Sequence, residues 1–405
     1  MKTANSLIRT TACRKGAVAP LVAFMMPVFL AMAAFMVDTG YIVVTITELQ
    51  NAADVAALAG ASQLEKPTIN LTSARRDSVA AVCVLKARAE AKKYGLLNSS
   101  GGVNLQLADA DIVVGYQATS SSTVVPWSNG QPFPNIVQVR VRRDSTTNDP
   151  LGLFFGPIIG SPTWSGSATA KAGFNATGKV VTGFKTTPNG PNPLLLPIAI
   201  DQEFVNSFLS TGRSPDGNTY DRFTAVIPSP TQLSPNNVNS GSDNIPELQG
   251  VYPNNSSPGN FGLMNLRYTN PENNTPQFSD WILNGPTPSD ISTFGSNGFQ
   301  ATPANPAILK GGPGLKSSLV PDFASIVGQQ RIMPIFSSYS GQGSNTYYTV
   351  VGFMGVQVVS ATGRGSNIEI VFQPAIVVDP TATSATTTST TPFYVYSKSP
   401  ISLIE

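Results

Sequence analysis

RKGAVAPLVAFMMPVFLAMAAFMVDTGYIVVTITELQNAADVAALAGA, residues 14–61, passes from a basic flank through a membrane-length apolar run into an alanine-rich amphipathic segment. Residues 17–37 carry no charge, and at about 1.5 Å per residue a helix of that length crosses roughly 30 Å of hydrocarbon. Lys2, Arg9, Arg14 and Lys15 precede it with no acidic residue among them, and the next charges after it are Asp38 and Glu48. Such asymmetry orients the basic flank to the cytoplasm. Pro20 falls in the first helical turn, where its missing N–H costs little, whereas Pro27 sits mid-segment and predicts a kink or one opened hydrogen bond. A secretory signal is the competing reading: the small-x-small run Ala31, Met32, Ala33 would allow cleavage to a chain starting at Ala34.

Residues 38–66 follow as a membrane-proximal helix. Ile42, Ile46, Leu49, Ala53, Ala56 and Gly60 recur at alternating spacings of four and three, one stripe of a helix, with Glu48, Gln50, Asn51 and Asp54 mostly on other faces. Small residues let another helix approach closely, so this seam is expected to pack against partner helices. The helix should end near Lys66, because the residue before Pro67 avoids the helical region.

The basic residue with Gly16, the AVAP start, the apolar helix with an internal proline, the DTGY exit at 38–41 and the ELQNAADVAALAGA helix at 48–61 together resemble the N-terminal segment of Flp pilus-assembly (tight-adherence) TadG-like proteins. The resemblance, strongest over residues 14–64, implies a prepilin-like membrane protein. In related pilin-type precursors a membrane peptidase cuts after a glycine ahead of the apolar helix, which here places the processing site between Gly16 and Ala17. Leu21 stands where those precursors carry glutamate, which points as much to an assembly or anchoring role as to a polymerised subunit. Some relatives carry a von Willebrand type A domain; the DISTF run at 290–294 departs from its Asp-x-Ser-x-Ser cation motif at the last position.

Residues 73–94 repeat a helical pattern, with Ala80, Val84, Ala87, Ala91 and Tyr94 along one side and Gly95 as a stop. From Val103 the period is two. Residues 111–116 and 136–142 read as strands, the second alternating Val137, Val139 and Val141 against Gln138, Arg140 and Arg142, and residues 165–172 as a strand of small residues. Turn chemistry over 178–190 marks a boundary. Beyond it, strands are expected at 194–200 and 393–396, and three β runs spaced as in a meander at 331–336, at 347–353 with 356–359, and at 367–372, with the Thr/Ser tract at 380–392 as a flexible linker or exposed loop. The expected fold class is α+β: a cytoplasmic basic leader (1–16), a transmembrane helix (17–37), the amphipathic helix (38–66), a small pilin-like α+β unit (67–177) and a β-rich exported domain (178–405).

The 405-residue chain holds 25 Lys and Arg, 23 Asp and Glu and no histidine. A net charge of +2 without a basic stripe argues against nucleic acid. Without histidine, Ser/His/Asp and Cys/His nucleophiles and His-bearing metal sites cannot be built. Cys13 and Cys83 supply neither a CxxC pair nor a zinc site and lie on opposite sides of a long helix, too far apart to bridge. The GGPGLKS run at 311–317 has Leu315 where a phosphate loop needs glycine and reads as a turn. Asp216, Asn218 and Asp221 are the candidate oxygen ligands for calcium, on a run whose Asp-Gly is foremost a turn signal. Asp201, Glu203 and Asp221 offer acid pairs of the kind any such sequence contains.

These features describe a non-enzymatic protein with no catalytic residue, cofactor or small-molecule substrate. Its expected partners are the lipid bilayer and other pilus-assembly or pilin-like membrane proteins. Its expected place is the inner membrane, single-pass, with a cytoplasmic N-terminus and a periplasmic or surface-exposed C-terminal part. The alternative is an exported binding module or adhesin, calcium-stabilised through Asp216, Asn218 and Asp221 and merely tethered by the helix; an envelope hydrolase is a third class, disfavoured by the missing histidine.

Overall fold

The computed structural model describes residues 18–64, 73–118, 123–174, 180–213, 220–225, 238–252, 261–269, 271, 274–312, 316–341, 345–364, 368–385, 395–396 and 401–404. Gly16, Ala17, Asp216, Asn218 and residues 386–392 of the Thr/Ser tract lie outside them. Helix α1 (Val18–Ala61) is unbroken over 44 residues and contains Pro27. The apolar run and the amphipathic segment therefore form one rod, about 66 Å long at the helical rise. From Pro20 to Val37 every side chain is exposed except Ala34, which is partly covered. A buried face begins at Asp38 and continues through Thr45, Leu49, Ala52, Ala53, Ala56 and Gly60.

That face meets α2 (Ser73–Leu96) and a sheet. Strands β1 (Ile112–Tyr116), β2 (Ile136–Arg143) and β3 (Gly166–Phe174) run antiparallel, with Ile112 opposite Val139 and Val139 opposite Ala170. Period-two alternation puts Val137, Val139 and Val141 with Ala168, Ala170 and Ala172 on the face that packs with Leu49, Ala53 and Ala56. Small residues on both sides let helix and sheet lie close, and burying Leu49 alone contributes about 2 kcal/mol. Cys83 is buried in the same core. The approach at Gly60 is close: a Cβ there would lie 3.0 Å from Val137 Cγ1 and 3.1 Å from the Ala87 carbonyl oxygen. Gly60→Ala should be nearly neutral, its better helix propensity offsetting the contact, whereas Gly60→Val should cost about 1–3 kcal/mol in a urea titration. Equal stability of the two variants would contradict this packing.

The second body of sequence builds β4 (Val180–Phe184), β5 (Ile198–Asp201), α3 (Gln202–Thr211), β6 (Leu248–Tyr252), β7 (Phe261–Leu263), α4 (Thr275–Asn284), α5 (Pro288–Ser292), β8 (Phe299–Gln300), β9 (Ala307–Lys310), α6 (Val320–Ser325), β10 (Gln330–Ser340), β11 (Tyr347–Thr362), β12 (Ile368–Pro374) and β13 (Ala382–Ala385). Its main sheet has the order β6-β12-β11-β10-β5-β7, antiparallel except for the parallel β5–β10 pair. Strand β9 occupies the β11 edge left free where β12 ends. The core collects Phe184, Phe299 and Phe353 in edge-to-face contacts, with Phe278 and Trp281 of α4.

Several expectations are corrected. The strand expected at 194–200 starts at Ile198, whereas the run over 347–359 is one strand, as expected, and extends to Thr362. Part of the Thr/Ser tract, Ala382-Thr383-Ser384-Ala385, is β13, hydrogen-bonded to β4 inside the expected boundary segment, where its small and β-branched side chains suit an edge strand. The region expected to be β-rich also carries α3, α4 and α6. Near the C-terminus, Ile401–Leu403 returns to pair with β3 in the first sheet. Asp290 of the DISTF run closes a capping box with Thr287 and accepts from Trp281 Nε1 at 3.0 Å, with Arg267 Nε 2.9 Å away.

Candidate functional site at the foot of the long helix

Where α1 leaves the folded body, it is gripped by a polar collar. Asp38 is 7% exposed, and its carboxylate accepts from the backbone N–H groups of Phe154 (2.8 Å) and Phe155 (3.1 Å). One turn further on, the Tyr41 ring packs against Phe154 with centroids 5.1 Å apart. Ser100 Oγ donates to the Thr45 carbonyl at 3.1 Å, and Glu48 Oε2 accepts from the Gly101 N–H at 2.7 Å. These contacts hold about 15 Å of helix, from Asp38 to Glu48.

Arg143 ties the collar together. It sits at the inward-facing end of β2, 4% exposed, and donates to the carbonyls of Ser100 (2.6 Å), Asp149 (2.9 Å), Pro150 (3.3 Å) and Gly101 (3.4 Å). Gly101 sits at the tip of the hairpin formed by Ser99–Ser100 and Val103–Asn104; it has φ +53°, and a Cβ there would lie 2.5 Å from Leu151 Cδ1 and 2.7 Å from Arg143 Nη1, so only glycine lets the tip lie on the guanidinium. The turn leading into the gripping loop is set by Asp144: hydrogen bonds from the hydroxyl and N–H of Thr146, then from the Thr147 N–H, with Arg142 adding a smaller attraction, lower the pKa of its carboxyl to about 2.

The collar thus assembles on the DTGY exit and the ELQ start of the amphipathic segment. Residues 16–63 match the family model of putative Flp pilus-assembly TadE/G-like proteins. The TadE/G-like segment therefore coincides with α1 and its collared stretch, and a helix in it is long and apolar enough to cross a membrane. No curated protein and no solved structure matches the chain.

The structure distributes the remaining sequence-derived residues as follows. Pro20 and Pro27 lie on the bare part of α1. Leu49, Ala53, Ala56 and Gly60 of the seam are buried against this chain's own α2 and sheet, Ile42 is partly covered and Ile46 is exposed. The seam is thus filled internally, where partner helices had been expected. Asp221 accepts from Ser242 Oγ and the Asp243 N–H and lies 3.6 Å from Arg75 of α2. Among the described residues no group of three or more His, Cys, Asp or Glu is arranged to hold a metal. Asp201 caps α3 through the N–H groups of Glu203 and Phe204. A groove of about 450 Å³ beside α5 is lined by Ser, Thr, Pro, Ile and Gly with Lys185 as its ionisable lining residue, which supplies no acid–base pair. Arg143 was legible only by carrying the β2 alternation one residue further; the partners of Asp38, 116 residues away, had no local signal.

A second polar junction lies beside Asp221. Buried Glu247 accepts from the N–H groups of Arg222 and Phe223, while Ile245 enters the α1–α2 core. Burial raises the Glu247 carboxyl above its ordinary value of 4.5, with Asp221 and Asp243 adding to the effect. A raised folded-state value means that the group's stabilising contribution is full below 4.5 and is lost as pH climbs through the folded value. In denaturant midpoints, the wild type should therefore gain on Glu247→Gln as pH falls from neutrality toward 4.5; a gap that stays constant would contradict it.

Proposed function

We propose that this chain is a single-pass, non-enzymatic pilin-like or assembly protein of a tight-adherence pilus system. The TadE/G-like match on a helix whose first half is bare and apolar, and whose second half is locked into a folded body, carries this reading. The basic leader faces the cytoplasm, residues 17–37 cross the inner membrane, and the remainder stands in the periplasm or at the surface as a unit around 67–177 followed by a larger one over 178–405. Since the seam on α1 is filled by α2, contacts with other pilus components fall to the bare apolar half of α1 and to the outer surface.

Mass spectrometry of the mature N-terminus in isolated membranes tests the anchor. A start at Met1 or Ala17 fits a retained helix, the latter with prepilin-type processing, and a start at Ala34 overturns it. Deletion of the gene tests the system: pilus filaments should be lost and restored by the wild-type chain, and unchanged piliation would overturn the assignment.

A further inference from the structure

The loop that grips Asp38 is itself apolar and turned outward. Between the paired segments Leu151–Gly152 and Thr163–Trp164 the chain reads LFFGPIIGSP, without a charge. Phe154 is 64% exposed, Ile158 80% and Ile159 76%. Large side chains so exposed and so close together mark an interaction surface. The loop is built to leave water: the N–H of Leu153 bonds to the Pro162 carbonyl, those of Phe154 and Phe155 to Asp38, that of Ile158 to Phe155, that of Gly160 to Pro157 and that of Ser161 to Gly156. Internal satisfaction of backbone donors is what an apolar surrounding demands of non-helical chain.

Its position names the occupant. The two hydrogen bonds to Asp38 pin the loop where the apolar run of α1 ends. Ala34, one turn earlier on the same helical face, is the partly covered residue in the otherwise bare stretch 20–37. On the reading that α1 spans a bilayer, the loop cannot lie far from that bilayer's surface.

We propose that Phe154, Phe155, Ile158 and Ile159 form a second membrane contact, inserted into the interface of the same bilayer that α1 crosses. The body then stands on the membrane at two points, which fixes its tilt as well as its height. Uncharged loop residues and the aromatic rings of Phe154, Phe155 and Tyr41 at this level suit the headgroup boundary.

The test uses the full chain with Cys13→Ser, reconstituted in phosphatidylethanolamine–phosphatidylglycerol vesicles. One introduced cysteine at a time, Ile158→Cys, Ile159→Cys, Phe29→Cys or Leu85→Cys, carries an environment-sensitive fluorophore, with the Cys13→Ser parent showing that buried Cys83 takes no label in the folded chain, and spin-labelled lipids quench near the headgroup or deep in the acyl chain. All four sites are exposed, so labelling leaves the fold intact, checked by protease resistance. The expected result is strong deep quenching at Phe29→Cys, severalfold stronger shallow than deep quenching at Ile158→Cys and Ile159→Cys, and none at Leu85→Cys. Quenching at Phe29→Cys with the loop sites behaving like Leu85→Cys overturns the loop contact and leaves the anchor standing. A blue-shifted but unquenched loop label means that a protein surface covers it and also overturns the proposal. No quenching at Phe29→Cys overturns the anchor and the loop contact together.

Discussion

Arg143→Met is expected to remove roughly 3–5 kcal/mol from the stability of the folded body, the range for stripping a buried charged donor from its acceptors. Methionine reproduces the apolar stem of arginine but ends short of its guanidinium, so the stem stays buried while four carbonyls lose their donor. Those carbonyls belong to the hairpin tip at Ser100 and Gly101 and to the loop at Asp149 and Pro150. The loss should appear as a lowered urea midpoint of the full chain in detergent. Arg143→Lys should fall between the two, because a single ammonium cannot reach acceptors that the planar guanidinium spans. A loss below about 1 kcal/mol for Arg143→Met would mean that the collar contributes nothing to holding the helix.

Asp38→Ala is expected to cost about 2–4 kcal/mol, from two charge-assisted hydrogen bonds whose donors are left without a partner. Its more specific signature is local. The amides of Phe154 and Phe155 should exchange with solvent deuterium far faster in Asp38→Ala, while those in β2 keep their protection. Asp38→Asn keeps one acceptor oxygen and should lose less. Unchanged exchange at Phe154 and Phe155 would show that the loop is held by something other than Asp38. The two substitutions act on one collar through shared loop residues, so their effects should not add.

Much of the fold was legible locally. The apolar run, the small-residue stripe of α1, the α2 pattern and the valine alternation of β2 are periodic over many residues, and periodicity is a local property. The meander β10–β11–β12 announced itself for the same reason. By contrast, α3, α4 and α5 are short helices carried by caps, with little periodicity to announce them: Asp201 caps α3, Asn274 caps α4, and a Thr287-to-Asp290 box starts α5. Strand β13 was obscured because Thr and Ser serve a loop or an edge strand equally well until a partner such as β4 is supplied.

The sequence by itself determined that a membrane-length helix runs straight into an alanine-rich stripe, and that the stretch resembles TadG-like proteins; composition, charge order and spacing carry that much. Only the tertiary structure decided what covers the stripe. A period says which face is apolar and nothing about its occupant, and here the occupants are α2 and alanines of β3 more than a hundred residues further along the chain. Likewise Asp38 reads locally as the charge that ends a membrane span. Its role as the acceptor that pins an apolar loop arises only when folding brings Phe154 and Phe155 to it, across 116 and 117 residues of chain.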